Sequence, residues 1–272
     1  MSRLSINEMT TYRWSFEEDV CGLADAGIPA IGVWRQKLSD FGEEKGIDLL
    51  AEKGLNVSSL SWAGGFTGSD GRSFKDSVSD ALDAVRLAGA MRADSLIVFS
   101  GARGGHTNNH ARRLLRSALA ELLPAASENA VTLAVKPMHA GCASECTFLT
   151  DLKDTLELVE ELDDPHLRIA FDSYHFGFEP ALRADLPALV PRIAVVQLGD
   201  AKQPPSGEQN RCRLGDGSIP LSTIVETLNE AGYRGYFEVE LMGEDVEPYD
   251  YRELLAHSKC MFDTWKIASG VK

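Results

Sequence analysis

Apolar residues follow two rhythms along this chain. Short apolar or alternating runs occur at RLSIN near residue 5, AIGVW (30–34), NVSSLSW (56–62), SLIVFSG (95–101), VTLAVKP (131–137), LRIAFDSYH (167–175), IAVVQLGD (193–200) and YFEVELMG (236–243). Each reads as a strand. Between them, apolar positions recur at helical spacing, as in Val78, Leu82 and Val85, or Leu115, Leu119 and Leu122, or Leu152, Leu156 and Val159. Ser15-Phe16-Glu17-Glu18 fits a capping box that opens the first helix. Gly54, Gly89, Gly232 and Gly235 stand where helices are expected to end.

Eight strand–helix units predict one (β/α)8 barrel over residues 1–272, because such barrels typically run to about 250 residues. The competing architecture, a doubly wound open sheet, carries a glycine turn for phosphate after its first strand, and RLSINEMTTYRW has none. Barrel strands alternate between the helices and the interior. With Leu133, Val135, Ile169, Phe171, Val196, Leu198, Phe237 and Val239 facing the helices, Lys136, Asp172, Gln197, Glu238 and Glu240 point inward. Lys136, Asp172, Gln197 and Glu240 then meet at the C-terminal mouth, where barrel enzymes place their chemistry. The alternative is an ion-paired plug, with Lys136 neutralised by Asp172 and Glu240.

Charge narrows the class of partner. Lys and Arg number 27 against 41 Asp and Glu, a net charge of −14. Neutralising duplex phosphates needs basic surface, so nucleic acid is not an expected partner. No apolar run approaches the roughly 20 residues needed to span a bilayer. MSRLSINEMTTYRW shows no signal-peptide pattern, and the cysteines are odd in number and scattered. Reduced thiols and a cytoplasmic location are expected.

VTLAVKPMHA, IAFDSYHFGFEP, VVQLGDAKQPP with RCRLGDGSIP, and GYRGYFEVELMG together resemble strands of the xylose-isomerase-like sugar isomerase/epimerase superfamily. The resemblance implies a TIM barrel in which Glu, Asp, His and Glu on strands five to eight hold a divalent metal. It places Asp172 and Glu240 at two of those ligand positions. His175 matches a histidine contacting substrate or metal, and Arg213 matches an arginine binding substrate oxygens. Lys136 and Gln197 depart from it, standing where the family has Glu and His. Lys has no acceptor and repels a cation, and Gln offers only a neutral oxygen. No tightly bound cofactor is therefore expected, only a weakly held Mn, Mg or Zn on Asp172 and Glu240.

The expected function is a sugar or polyol isomerase or epimerase with a small-molecule substrate. Glu240 would be the base, Asp172 or His175 the partner acid, and Lys136 the stabiliser of an enediolate oxygen. Gln197, Arg213, His139 and Trp62 are the expected substrate contacts. The alternative is a non-catalytic carbohydrate-binding or regulatory protein on the same scaffold. Trp14 and Trp34 lie near the ends of the first two strands, where they could stack on a sugar ring or pack. His106 and His110 lie in a glycine-rich loop, with solvation as the plainer reading.

Overall fold

The structure is a computed structural model in which residues 2–143 and 145–268 are described, with side chains described as far as residue 265. Its frame is eight strands: β1 (Leu4–Asn7), β2 (Ala30–Trp34), β3 (Asn56–Gly64), β4 (Ser95–Phe99), β5 (Thr132–Val135), β6 (Leu167–Asp172), β7 (Ile193–Leu198) and β8 (Phe237–Val239). Each pairs in parallel with the next in sequence, and β8 pairs with β1 to close the barrel. The helices are α1 (Phe16–Asp25), α2 (Arg35–Phe41), α3 (Glu43–Lys53), α4 (Phe74–Ala90), α5 (Asn108–Glu128), α6 (Leu152–Leu162), α7 (Ser173–Phe176), α8 (Leu182–Leu189), α9 (Leu221–Glu230) and α10 (Tyr251–Ala268). No described helix is long and apolar enough to cross a membrane.

Two apolar clusters separate along the predicted strand phase. Leu133, Val135, Ile169, Phe171, Val196, Leu198, Phe237 and Val239 join the large cluster between strands and helices. Their neighbours Ala134, Ala170 and Val195 join Ile97 in a small cluster inside the barrel. Much of the remaining interior is polar. Ser5, Asn7, Ser58, Ser59 and Glu238 are buried on the side formed by β1, β3 and β8. Unpaired, each would cost free energy, so they bond to one another. The Glu238 carboxylate accepts from Asn7 Nδ2 at 2.8 Å, Ser58 Oγ at 2.6 Å, Ser59 Oγ at 2.7 Å and Gln197 Nε2 at 2.9 Å.

The capping box at Ser15 is present, with Ser15 N donating to Glu18 Oε2 at 2.7 Å and Glu18 N to Ser15 Oγ at 3.3 Å. Two local readings change. Helix α4 continues through Gly89 to Ala90. The sixth strand ends at Asp172 rather than running to His175. The Asp172 carboxylate accepts from Tyr174 N at 2.9 Å, capping a helical turn that begins at Ser173. This local bond competes with the sheet ladder, so His175 stands on a turn.

Candidate active site

Four inward residues of the later strands converge at the C-terminal end. Asp172, Gln197 and Glu238 are register partners across β6, β7 and β8, and Lys136 and Glu240 follow directly on β5 and β8. Lys136 N donates to Val98 O and Glu240 N to Leu198 O, both at 3.0 Å, so each extends its ladder by one residue. Lys136 Nζ lies 3.0 Å from Asp172 Oδ2 and 3.2 Å from Glu240 Oε1. Gln197 Nε2 donates to Glu240 Oε2 at 2.6 Å as well as to Glu238. Burial lowers an ammonium's affinity for its proton, but Glu240 and Asp172 outweigh it, and the Lys136 pKa is raised.

A second cation completes the cluster. Arg211, fully buried, comes from the loop between β7 and α9. Its Nη1 donates to Asp172 Oδ1 at 3.2 Å and Glu240 O at 3.0 Å, and its Nη2 to Asp172 Oδ2 at 2.9 Å. Nη2 also lies 3.1 Å from Glu240 Oε1. The guanidinium stacks over the Tyr174 ring, 4.5 Å from its centroid. Gly199 permits this approach, since a Cβ there would lie 2.5 Å from Arg211 Nη1. Despite complete burial, Asp172 is held far below the ordinary carboxylate range by Arg211 and Lys136.

Arg213 does not join this cluster. It pairs with Asp216 at 2.8 Å and stacks on Tyr249, while Arg211, two residues before it, enters the buried cluster. The segment RCRLGDG offers two arginines, and spacing alone does not choose between them. Counting charges points toward a second cation, because Lys136 alone cannot balance Asp172, Glu238 and Glu240. Exposure then separates the two, since Arg213 keeps 29% of its side chain in solvent and Arg211 none.

His175 is buried beside the cluster, with Nε2 3.7 Å from Asp172 Oδ2 and Nδ1 3.5 Å from Cys142 Sγ. Burial, opposed by Asp172 and reinforced by Arg211 and Lys136, lowers its pKa to about 3. His139 is half-buried, and its Nδ1 accepts from Gly141 N at 3.1 Å. Trp14 packs edge-on against Tyr251, and His106 stacks on His110 with ring centroids 4.6 Å apart.

A cavity of about 200 Å³ opens onto this cluster, lined by Lys136, Gln197, Gln209 and Glu240 with Trp34 and Trp62 among its other walls. Asp172, His175, Arg211 and His139 do not line it. Glu240 is the one carboxylate among the described residues that does. Asp172 lies beneath, and its role as partner acid is replaced by that of anchor for Lys136 and Arg211. A carboxyl so firmly ionised holds no proton to donate at neutral pH. His175 is neutral and walled off from the cavity for the same reasons of burial.

Comparison with known proteins fits this architecture. The family model described as xylose isomerase-like TIM barrel matches residues 22–260. D-psicose 3-epimerase of Enterocloster bolteae is 30% identical over 117 residues, 43% of this chain and 36% of the relative. L-ribulose-5-phosphate 3-epimerase UlaE of Escherichia coli is 26% identical over 141 residues, 52% of this chain and 46% of the relative. The matched segment thus spans less than half the length of either curated relative. A crystal structure of a Sinorhizobium meliloti 1021 protein superposes with a TM-score of 0.88 at 27% identity, covering 96% of this chain and 98% of that one. With a family model spanning nearly all of the barrel, the chain belongs to the xylose isomerase-like TIM-barrel family.

Proposed function

We propose that the mouth is the active site of a sugar or polyol isomerase or epimerase that moves a proton beside a carbonyl, with buried cations in place of a metal. The observation that carries this reading is the direct bonding of Lys136 and Arg211 to the two carboxylates matching the family's ligand positions. All four of those carboxylate oxygens already meet a cation or a donor: Asp172 Oδ1 and Oδ2, and Glu240 Oε1 and Oε2. This donor set does not suit a divalent ion, which needs several free anionic oxygens or imidazoles. A cation entering here would also stand beside an ammonium and a guanidinium.

Glu240 is the base in this scheme. It lines the cavity, and Gln197 fixes its carboxylate through the 2.6 Å bond. It removes the proton from the carbon next to a ketose or aldose carbonyl, and the electron pair moves onto the carbonyl oxygen. Lys136 lines the same cavity, and its ammonium is the donor to that oxygen in this scheme. Negative charge leaves Glu240 as it appears on the substrate, so Lys136 keeps the same number of negative partners throughout. Return of the proton from Glu240 to the former carbonyl carbon, while the hydroxyl proton of the neighbouring carbon passes to the oxygen held by Lys136, completes an isomerisation. A sugar carbonyl as the target is supported by the 3-epimerase names of the curated relatives. Lys136 as a Schiff-base nucleophile is disfavoured, since its raised pKa keeps it protonated.

The competing reading is a binding protein, favoured by the same observation: Lys136 and Arg211 are both committed to structural carboxylates. A turnover screen of ketoses and aldoses, with chelator and with added manganese, separates the two. Turnover that survives chelator and disappears in Glu240→Gln supports the enzyme. Ligand binding without turnover supports the binding protein.

A further inference from the structure

The mouth cavity does not end at Trp62. On the far side of Trp34, Ser61 and Trp62, which line both spaces, lies an outer cavity of about 600 Å³. It runs over α2 and the loop between β3 and α4. Ligand sites for small molecules typically measure about 300–1,000 Å³. The mouth cavity, at about 200 Å³, falls below that range by itself. It fits one small ring and leaves the larger space outside unassigned.

The outer walls have a definite chemistry. Arg35 Nη1 meets Asp80 Oδ1 at 2.9 Å, Arg72 Nη1 meets Asp80 Oδ2 at 3.2 Å, and Arg72 Nε meets Asp70 Oδ2 at 2.7 Å. Arg72 Nη2 also donates to Gly64 O at 2.9 Å. These planar groups hold one another in place while each keeps 25–36% of its side chain in solvent. Fixed, part-exposed donors and acceptors of both kinds suit hydroxyl groups, which donate and accept. They do not suit a phosphate. With Glu43, the lining sets two guanidiniums against three carboxylates, leaving no surplus positive charge. Trp62 stands at the junction with 45% of its surface exposed, held edge-on by Phe99 at 5.8 Å. An exposed indole face is apolar and flat, as is the C–H face of a sugar ring.

We infer that the substrate carries two rings: a reacting sugar unit in the mouth cavity and a second, neutral hydroxylated ring in the outer cavity, stacked on Trp62 and bonded by the Arg35–Asp80–Arg72–Asp70 chain. This rests on the reading of the mouth as a sugar site. Binding energy from the second ring is available to hold the first against Glu240.

Titrations of the full chain with D-fructose, lactulose (the same ketohexose bearing a galactosyl ring) and D-fructose 6-phosphate test it, each sugar also being assayed for turnover. Lactulose is expected to bind about tenfold or more tighter than fructose. Ser39→Trp fills the outer cavity from an exposed position on α2 and brings that ratio to about one. Trp62→Ala lowers the affinity for lactulose more than that for fructose. Equal affinities in the unmodified chain, a ratio unmoved by Ser39→Trp, or preference for the phosphate ester overturns the second-ring site. A Ser39→Trp-sensitive preference without turnover of either sugar keeps the site and removes the isomerase reading. Fructose turnover without preference for lactulose does the reverse.

Discussion

Lys136 reaches the mouth with its charge shared between Asp172 and Glu240, and this sharing sets what each of the three can do. Glu240 alone of the described carboxylates borders the cavity, so Glu240→Gln is expected to lower turnover by about 10²–10⁴-fold with the fold retained. Lys136→Met removes the donor to the developing oxyanion and is expected to cost about 10²–10³-fold in kcat. Arg211 has a different job. Replacing it with Met leaves Asp172 buried beside one cation only, and about 3–5 kcal/mol of stability should be lost in chemical denaturation. His175 gives a pH signature. Its folded pKa of about 3 lies below the ordinary value of 6.5, so the unfolded chain takes up the proton first as pH falls. Its contribution to stability is intact above about pH 6.5 and is lost progressively toward pH 3. By pH 5 this amounts to about 2 kcal/mol. His175→Gln should remove that part of the difference between denaturation midpoints at pH 7 and pH 5. An equal difference in both proteins would show that His175 does not titrate as its burial implies.

Strands were the most legible elements, because a parallel barrel strand declares both its faces. In β5, Ala134 lies inside and Leu133 and Val135 outside, and the same two-residue period brought Lys136, Asp172, Gln197 and Glu240 to one end. Loop residues carry no such period. Arg211 reaches the site through the chain after β7, where Arg211 N donates to Met242 O and Cys212 bridges Asp200. Nothing in the spacing of RCR says which arginine turns inward. The β6 end was misread for a related reason, since a side-chain cap at Asp172 overrides an apolar run that would otherwise extend the strand. The end of β3 is set by backbone contact. Gly64 adopts φ +141°, and a Cβ there would sit 1.8 Å from Phe99 O, an atom of the paired strand that cannot turn aside. Gly64→Ala should destabilise by more than about 1 kcal/mol in thermal denaturation and disturb the Trp62 wall as well.

At the scale of the whole molecule, a net charge of −14 draws cations to the surface generally. Metal binding must therefore be judged by stoichiometry and by its loss in site variants. Lys136→Glu with Gln197→His restores two glutamates, an aspartate and a histidine at the four positions, beside the remaining Arg211. That variant should gain a metal-dependent rise in melting temperature, since an ion bound only to the native state stabilises it. The central claim is that an ammonium and a guanidinium, rather than a metal, supply the positive charge at Glu240. Calorimetric titration of the unmodified chain with manganese, in about 0.15 M salt to screen the surface, tests it most directly. The account predicts no binding at one ion per chain. One ion bound per chain, and lost in both Asp172→Asn and Glu240→Gln, would contradict it and make Lys136 a bystander.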